Sequence, residues 1–251
     1  MRRKIIAGNW KMNKTAKEAV DLVAGLKNQL KNIQDVDIVV CPPFTALTEV
    51  VKVIQGTNIQ LGAQNTYWED AGAFTGEVSC VMLKELGCAY IIVGHSERRQ
   101  YFGETNETVN KKAKAVLSHK LTPIICIGER LEEREQNKTF EVLKDHIENG
   151  LKGITGEEAK KIIIAYEPVW AIGTGKTATP QQAQEAHSFI RGLLKELYDK
   201  ETSEVIRIQY GGSVKPDNIS ELMAQPDLDG ALVGGASLKL DSFVKIVEGS
   251  K

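Results

Sequence analysis

The sequence predicts an α/β fold, a single (β/α)8 barrel of eight parallel strands ringed by helices, with residues 1–251 forming one domain. Three observations carry this expectation. Short β-branched runs recur eight times along the chain, most ending at Gly or Pro. Several are apolar on both faces, as strands buried on both sides of a parallel sheet must be. Segments of helical period lie between them, and the chain length suits one closed barrel. The rival arrangement, an open doubly wound sheet, would usually have fewer strands and a crevice where the strand order reverses.

In chain order the strands are expected at residues 4–7, 37–41, 59–63, 90–93, 123–127, 162–166, 206–210 and 230–233. Val109, Ala113, Val116 and Leu117 recur on one helical face. Thr179-Pro180-Gln181-Gln182 opens another helix with an N-cap, a proline in the first turn and a capping-box glutamine. Ala183, Ala186, Ile190, Leu194 and Leu197 form its expected inner stripe. No linker-like or low-complexity tract divides the chain.

The 32 Lys and Arg against 33 Asp and Glu leave a net charge of −1, which gives no electrostatic footprint for nucleic acid or an anionic membrane surface. The longest apolar run, residues 87–94, is too short to span a bilayer. The basic start has too short an apolar stretch for a signal peptide, so a cytoplasmic protein is expected. Cys41, Cys80, Cys88 and Cys126 have no metal-site or disulfide-scaffold spacing and are expected to be buried. Metal and cofactor are both expected to be absent.

In such a barrel, chemistry sits in the loops that follow the strands. After the first come Asn9 and Lys11; the lysine either stays in solvent or projects an ammonium over the mouth for an anionic substrate. After the fourth comes His95, directly before a polar segment that can begin a helix, whose N–H groups would favour a neutral imidazole. His119, His146 and His187 fall in helical patterns and read as surface or packing residues. After the sixth, Glu167 ends an apolar run whose walls raise carboxylate basicity. Pro168 fixes its exit, and Val169, Trp170, Ala171, Ile172, Gly173, Thr174, Gly175 and Lys176 read either as a lid or as a loop packed on its own helix. Partial matches there to a P-loop and to a dinucleotide fingerprint fail: Trp170 replaces the first P-loop glycine, and Gly173 stands too far from the strand. Gly211-Gly212-Ser213 and Gly234-Gly235, after the last two strands, suit a phosphate. These parts allow proton abstraction beside a carbonyl in a small phosphorylated substrate; an isomerase and a lyase would use the same set.

Residues 8–13, 94–99, 165–176, 210–213 and 234–236 closely resemble those of the triosephosphate isomerase family. The resemblance spans the chain and implies a TIM barrel that interconverts dihydroxyacetone phosphate and glyceraldehyde 3-phosphate without a cofactor, in glycolysis and gluconeogenesis. It implies Glu167 as base and His95 as the electrophile. Asn9 and Lys11 would be electrostatic partners of the substrate, with Glu97 holding Lys11 or relaying protons. Gly173, Ser213, Gly234 and Gly235 would grip the phosphate. Residues 64–77 are long for a connecting loop and carry Trp68 and Phe74. They either fold on their own barrel or, as the resemblance implies, dock Phe74, Thr75, Gly76 and Glu77 into a twin subunit of a homodimer. A silent barrel that only binds phosphorylated ligands would lack the base, and Glu167 is present.

Overall fold

The computed structural model describes residues 2–171 and 178–251. Eight strands close into a barrel in chain order. They are β1 (Lys4–Asn9), β2 (Val36–Cys41), β3 (Ile59–Ala63), β4 (Cys88–Val93), β5 (Thr122–Ile127), β6 (Ile163–Tyr166), β7 (Arg207–Tyr210) and β8 (Gly230–Val233). Every neighbouring pair is parallel, and β8 closes on β1 with Ile5 opposite Gly230. All eight expected strands form, with ends shifted by at most two residues. β1, expected to stop at Ala7, continues because Gly8 and Asn9 still pair with Val40 and Cys41.

Around the barrel run α1 (Ala16–Leu30), α2 (Leu47–Ile54), α3 (Cys80–Glu85), α4 (Ser96–Tyr101) and α5 (Asn106–Ser118). They are followed by α6 (Leu131–Glu135), α7 (Thr139–Gly150), α8 (Gly156–Ala159), α9 (Pro180–Leu197), α10 (Lys200–Val205), α11 (Ile219–Met223) and α12 (Leu240–Glu248). α9 begins as expected, with Thr179 as N-cap and Gln182 completing the capping box. Its expected stripe needs one correction: Ala183, Ala186, Ile190 and Leu194 are buried, whereas Leu197 is 41% exposed. Leu197 is the final helical residue, where the chain leaves the barrel wall. None of the helices among the described residues is long and apolar enough to cross a membrane.

Alternation along the strands makes two cores. Ile6, Ile38, Val40, Ile91, Val93, Ile125 and Ile164 face outward and meet the helices. Ile5, Ala7, Val39, Cys41, Ile92, Ile124, Cys126, Ile163, Ala165 and Leu232 fill the interior. All four cysteines are free and buried. The same two-residue period carries past the strand ends. Asn9 follows Ile5 and Ala7 inward, and Glu167 follows Ile163 and Ala165, so both stand at the C-terminal mouth.

Candidate active site

The expected residues of five loops meet around one cavity of about 260 Å³, which Asn9, Lys11, His95, Glu167, Ser213 and Gly234 line together with their neighbours. Each is placed by its own element. Glu167 extends the β6 ladder, its N–H donating to the Ile127 carbonyl at 2.7 Å. Its side chain is 2% exposed. Gly211 makes room for it: a Cβ there would lie 2.8 Å from the Glu167 Cγ.

His95 is the N-cap of α4, and its Nδ1 accepts the Glu97 N–H at 3.2 Å. An occupied Nδ1 lone pair leaves the neutral ring's proton on Nε2. That Nε2 lies 2.9 Å from Glu167 Oε1, while Glu167 Oε2 accepts the Ser96 N–H at 2.9 Å. The turn that brings His95 round is made by Gly94, whose φ of 73° suits a residue without Cβ. Burial works against ionising Glu167, but His95, the Ser96 N–H and Lys11 outweigh it and hold the carboxyl below the usual range. Burial likewise opposes a charge on His95, and the adjoining Glu167 carboxylate more than offsets it while the two touch.

Lys11 adopts a φ of 53°, a left-handed conformation uncommon for a side chain of this size. Its N–H donates to Asn9 Oδ1 at 3.1 Å, and Gln64 Nε2 donates to its carbonyl at 2.9 Å. The ammonium is 2.6 Å from Glu97 Oε1. Its stem passes Gly234, where a Cβ would be 3.5 Å from Lys11 Cε. Gly234 also precedes a short 3-10 turn, Gly235–Leu238, held by the Ser237 N–H on the Gly234 carbonyl at 2.8 Å. Asn218 brackets the other glycine loop, donating to the Ser213 carbonyl at 3.0 Å and accepting the Lys215 N–H at 2.8 Å. A cation and two glycine loops in the lining suit a phosphate, and the carboxylate and imidazole line the same cavity.

At the root of the expected lid, Val169–Ala171 forms a 3-10 turn. Trp170 Nε1 donates to Glu129 Oε1 at 2.8 Å, and the same oxygen accepts the Tyr166 hydroxyl at 3.1 Å. Arg134 lies over the Trp170 ring at 4.5 Å. This part of the apolar tip is half-buried in the described conformation. Ile172, Gly173, Thr174, Gly175 and Lys176 lie outside the described residues.

Phe74, Thr75, Gly76 and Glu77 stand away from the cavity on an exposed loop. Trp68 is tucked in, stacked on Tyr67 at 4.0 Å with Lys111 over its ring at 5.4 Å. Phe74 touches Tyr67 at 4.6 Å between centroids yet remains 40% exposed.

Sequence reading missed Glu129, Ser96 as a backbone donor, and Glu104. Glu129 had a usable signal, since it is a carboxylate just past a buried strand, as Glu167 is. Glu104 had none. It is buried, accepting the Gly94 N–H at 3.0 Å and Arg98 Nε at 2.8 Å, and it also binds Lys112, whose ammonium reaches Asn65 Oδ1 at 2.8 Å.

A family model described as triosephosphate isomerase matches residues 4–250. The chain is 58% identical to the triosephosphate isomerase of Endomicrobium trichonymphae over 251 residues, the whole of both chains. It is 60% identical to that of Geotalea uraniireducens over the same span. It is also 60% identical to that of Caldanaerobacter subterraneus subsp. tengcongensis over 247 residues, 98% of this chain and 99% of that one. With matches of this extent and identity, the chain belongs to the triosephosphate isomerase family.

Proposed function

We propose that this barrel performs the reaction its family is named for, interconverting dihydroxyacetone phosphate and D-glyceraldehyde 3-phosphate, with Glu167 as base and His95 as electrophile. The observation that carries the assignment is the buried Glu167 carboxylate, 2.9 Å from His95 Nε2, in a cavity that also holds Lys11 and the glycine loops. The phosphate end of the substrate fits the cation and the glycine N–H groups of Gly234, Gly235 and the Ser213 loop. This leaves the carbonyl end facing Glu167 and His95.

Substrate entering between them separates Glu167 from His95. The carboxylate takes a proton from the carbon beside the carbonyl and becomes the acid; the pair of electrons moves onto oxygen, giving an enediolate. His95 Nε2–H donates to that oxygen as a neutral imidazole, with burial opposing a charge on the ring. Asn9 and Lys11 add positive potential, with Glu97 fixing the ammonium. A proton moves between the two oxygens through the imidazole, and Glu167 returns its proton to the neighbouring carbon. The chain's own groups supply every proton transfer in this scheme. Residues 168–176 are assigned as the lid that covers the intermediate, with Gly173 contributing to the phosphate grip.

Thr75 and its neighbours are assigned to a homodimer contact in which Thr75 lies beside the partner's Asn9 and Lys11. Exposed Phe74, and Met12 at 96% exposure beside Lys11, support this reading. The protein is assigned to the cytoplasm, as an enzyme of glycolysis and gluconeogenesis. A coupled assay on glyceraldehyde 3-phosphate tests the activity: turnover is expected, and its absence in folded protein would favour a barrel that only binds phosphorylated ligands. Sedimentation tests the assembly. The chain is expected as a dimer and Thr75→Arg as a monomer of lower activity, whereas a monomeric parent of full activity would remove the dimer assignment.

A further inference from the structure

A second cavity lies behind the base. It has a volume of about 240 Å³, and Glu167 is the one described residue that lines both it and the substrate cavity. The carboxylate straddles the two. Oε1 contacts His95, which lines only the front cavity, and Oε2 accepts from Ser96, which lines only the rear one. We propose that this rear cavity is a solvent chamber through which Glu167 exchanges its proton while substrate fills the front; the proposal rests on the isomerase reading above.

The walls suit water. Arg99 donates to the Gly94 carbonyl at 2.9 Å, to Asn106 Oδ1 at 2.7 Å and to the Cys126 carbonyl at 3.3 Å. A guanidinium has five N–H donors, so two remain for water among the described contacts. His146 Nδ1 accepts the Gly128 N–H at 3.3 Å, which leaves the ring's Nε2–H as a donor. Burial together with Arg99 and Arg130 pushes the His146 pKa down to about 3, so this wall stays neutral. A polar space of this size, with several donors and acceptors, holds more than one water. Gln100 and Arg130 line it, are exposed and do not line the substrate cavity, giving it a mouth to solvent of its own.

Any exchange of that proton during turnover has to use such a route. An enediolate beside a phosphate survives only where water is kept out, so the front cavity must be closed while Glu167 carries the abstracted proton. After a half-turn of the carboxyl group, the acid proton faces the rear. There it exchanges with a rear water, RCOOH + D₂O giving RCOOD + HDO, with no net change of charge. The second half of the reaction then delivers deuterium in place of the original hydrogen.

The test is to convert unlabelled glyceraldehyde 3-phosphate in D₂O and to measure by NMR the fraction of dihydroxyacetone phosphate that carries transferred hydrogen at C1. Two variants obstruct the chamber without touching the assigned catalytic groups. Gln100→Trp with Arg130→Trp covers the mouth, and His146→Leu makes a wall apolar. The ratio of deuterated to hydrogen-retaining product is expected to fall roughly threefold or more in either variant, with kcat within about threefold of the parent. The parent's retention in both folded variants would overturn the proposal. So would a fall in kcat beyond roughly tenfold with retention unchanged, which would mark a structural role only. A parent that does not isomerise at all would overturn the isomerase reading itself, a distinct failure.

Discussion

Glu167 reaches the mouth because it keeps the inward parity of Ile163 and Ala165, and its pKa is held low by His95, the Ser96 N–H and Lys11 against its burial. Glu167→Asp withdraws the carboxylate by about 1 Å, a displacement that can cost about a hundredfold in kcat. Steady-state kinetics should show that loss with KM little changed; parent turnover would remove Glu167 from the base role. Glu167→Gln should fall further, since an amide cannot take the proton. His95→Gln keeps a donor but not its reach from the α4 N-cap. It should lose on the order of 3–4 kcal/mol of transition-state stabilisation, read from kcat/KM. Full activity would make His95 a packing residue. Glu167 and Asn9 were legible from the sequence because a two-residue alternation says where the next side chain points. Ser96 was not. Its contribution is a backbone N–H, which any residue at that position would carry, and only the fold brings it 2.9 Å from Glu167 Oε2.

Elements translate local signals into placement. The α9 start was readable because Thr179, Pro180 and Gln182 act within one turn, whereas its exposed end at Leu197 depends on where the barrel wall stops. The lid root shows the same limit. Pro168 and the apolar run after it mark a special loop, but the anchor is Glu129, which comes from the loop after β5. Burial raises the Glu129 carboxyl pKa, partly countered by hydrogen bonds that include those from Trp170 and Tyr166. Trp170→Phe keeps the ring under Arg134 and removes the bond to Glu129. A hydrogen bond to a buried carboxylate contributes about 1.5–3 kcal/mol. If the anchor holds the root where the lid closes, kcat/KM should fall by roughly tenfold, together with thermal stability, since a buried carboxylate loses a donor. Parent kcat/KM would show that the indole N–H serves packing alone.

At the scale of the whole molecule, the closed barrel was readable because eight short strands recur with helical segments between them and several are apolar on both faces. Buried polar groups whose partners lie far away in sequence were not. His187 is the instructive case. It is fully buried in α9, its Nδ1 is 3.2 Å from the Asp227 carbonyl, and its ring packs edge-on to Tyr166 at 5.8 Å. Burial drives its pKa down to about 3, and His146 is lowered to about 3 as well. Both values lie below the ordinary 6.5, so above that pH neither the folded nor the unfolded chain protonates these rings and stability is unaffected. Below it the unfolded chain takes up protons that the folded chain refuses. Stability then falls as pH drops from about 6.5 towards 3, by about 1.4 kcal/mol per pH unit for each histidine. His187→Asn retains an N–H donor for the Asp227 carbonyl and cannot titrate, so it should lower stability at neutral pH while removing its share of the slope. Urea unfolding at pH 6, 5 and 4, at one fixed protein concentration, measures this. The variant's stability should decline with acid by about 1.4 kcal/mol per unit less than the parent's. Parallel declines would mean that His187 takes up its proton inside the folded barrel.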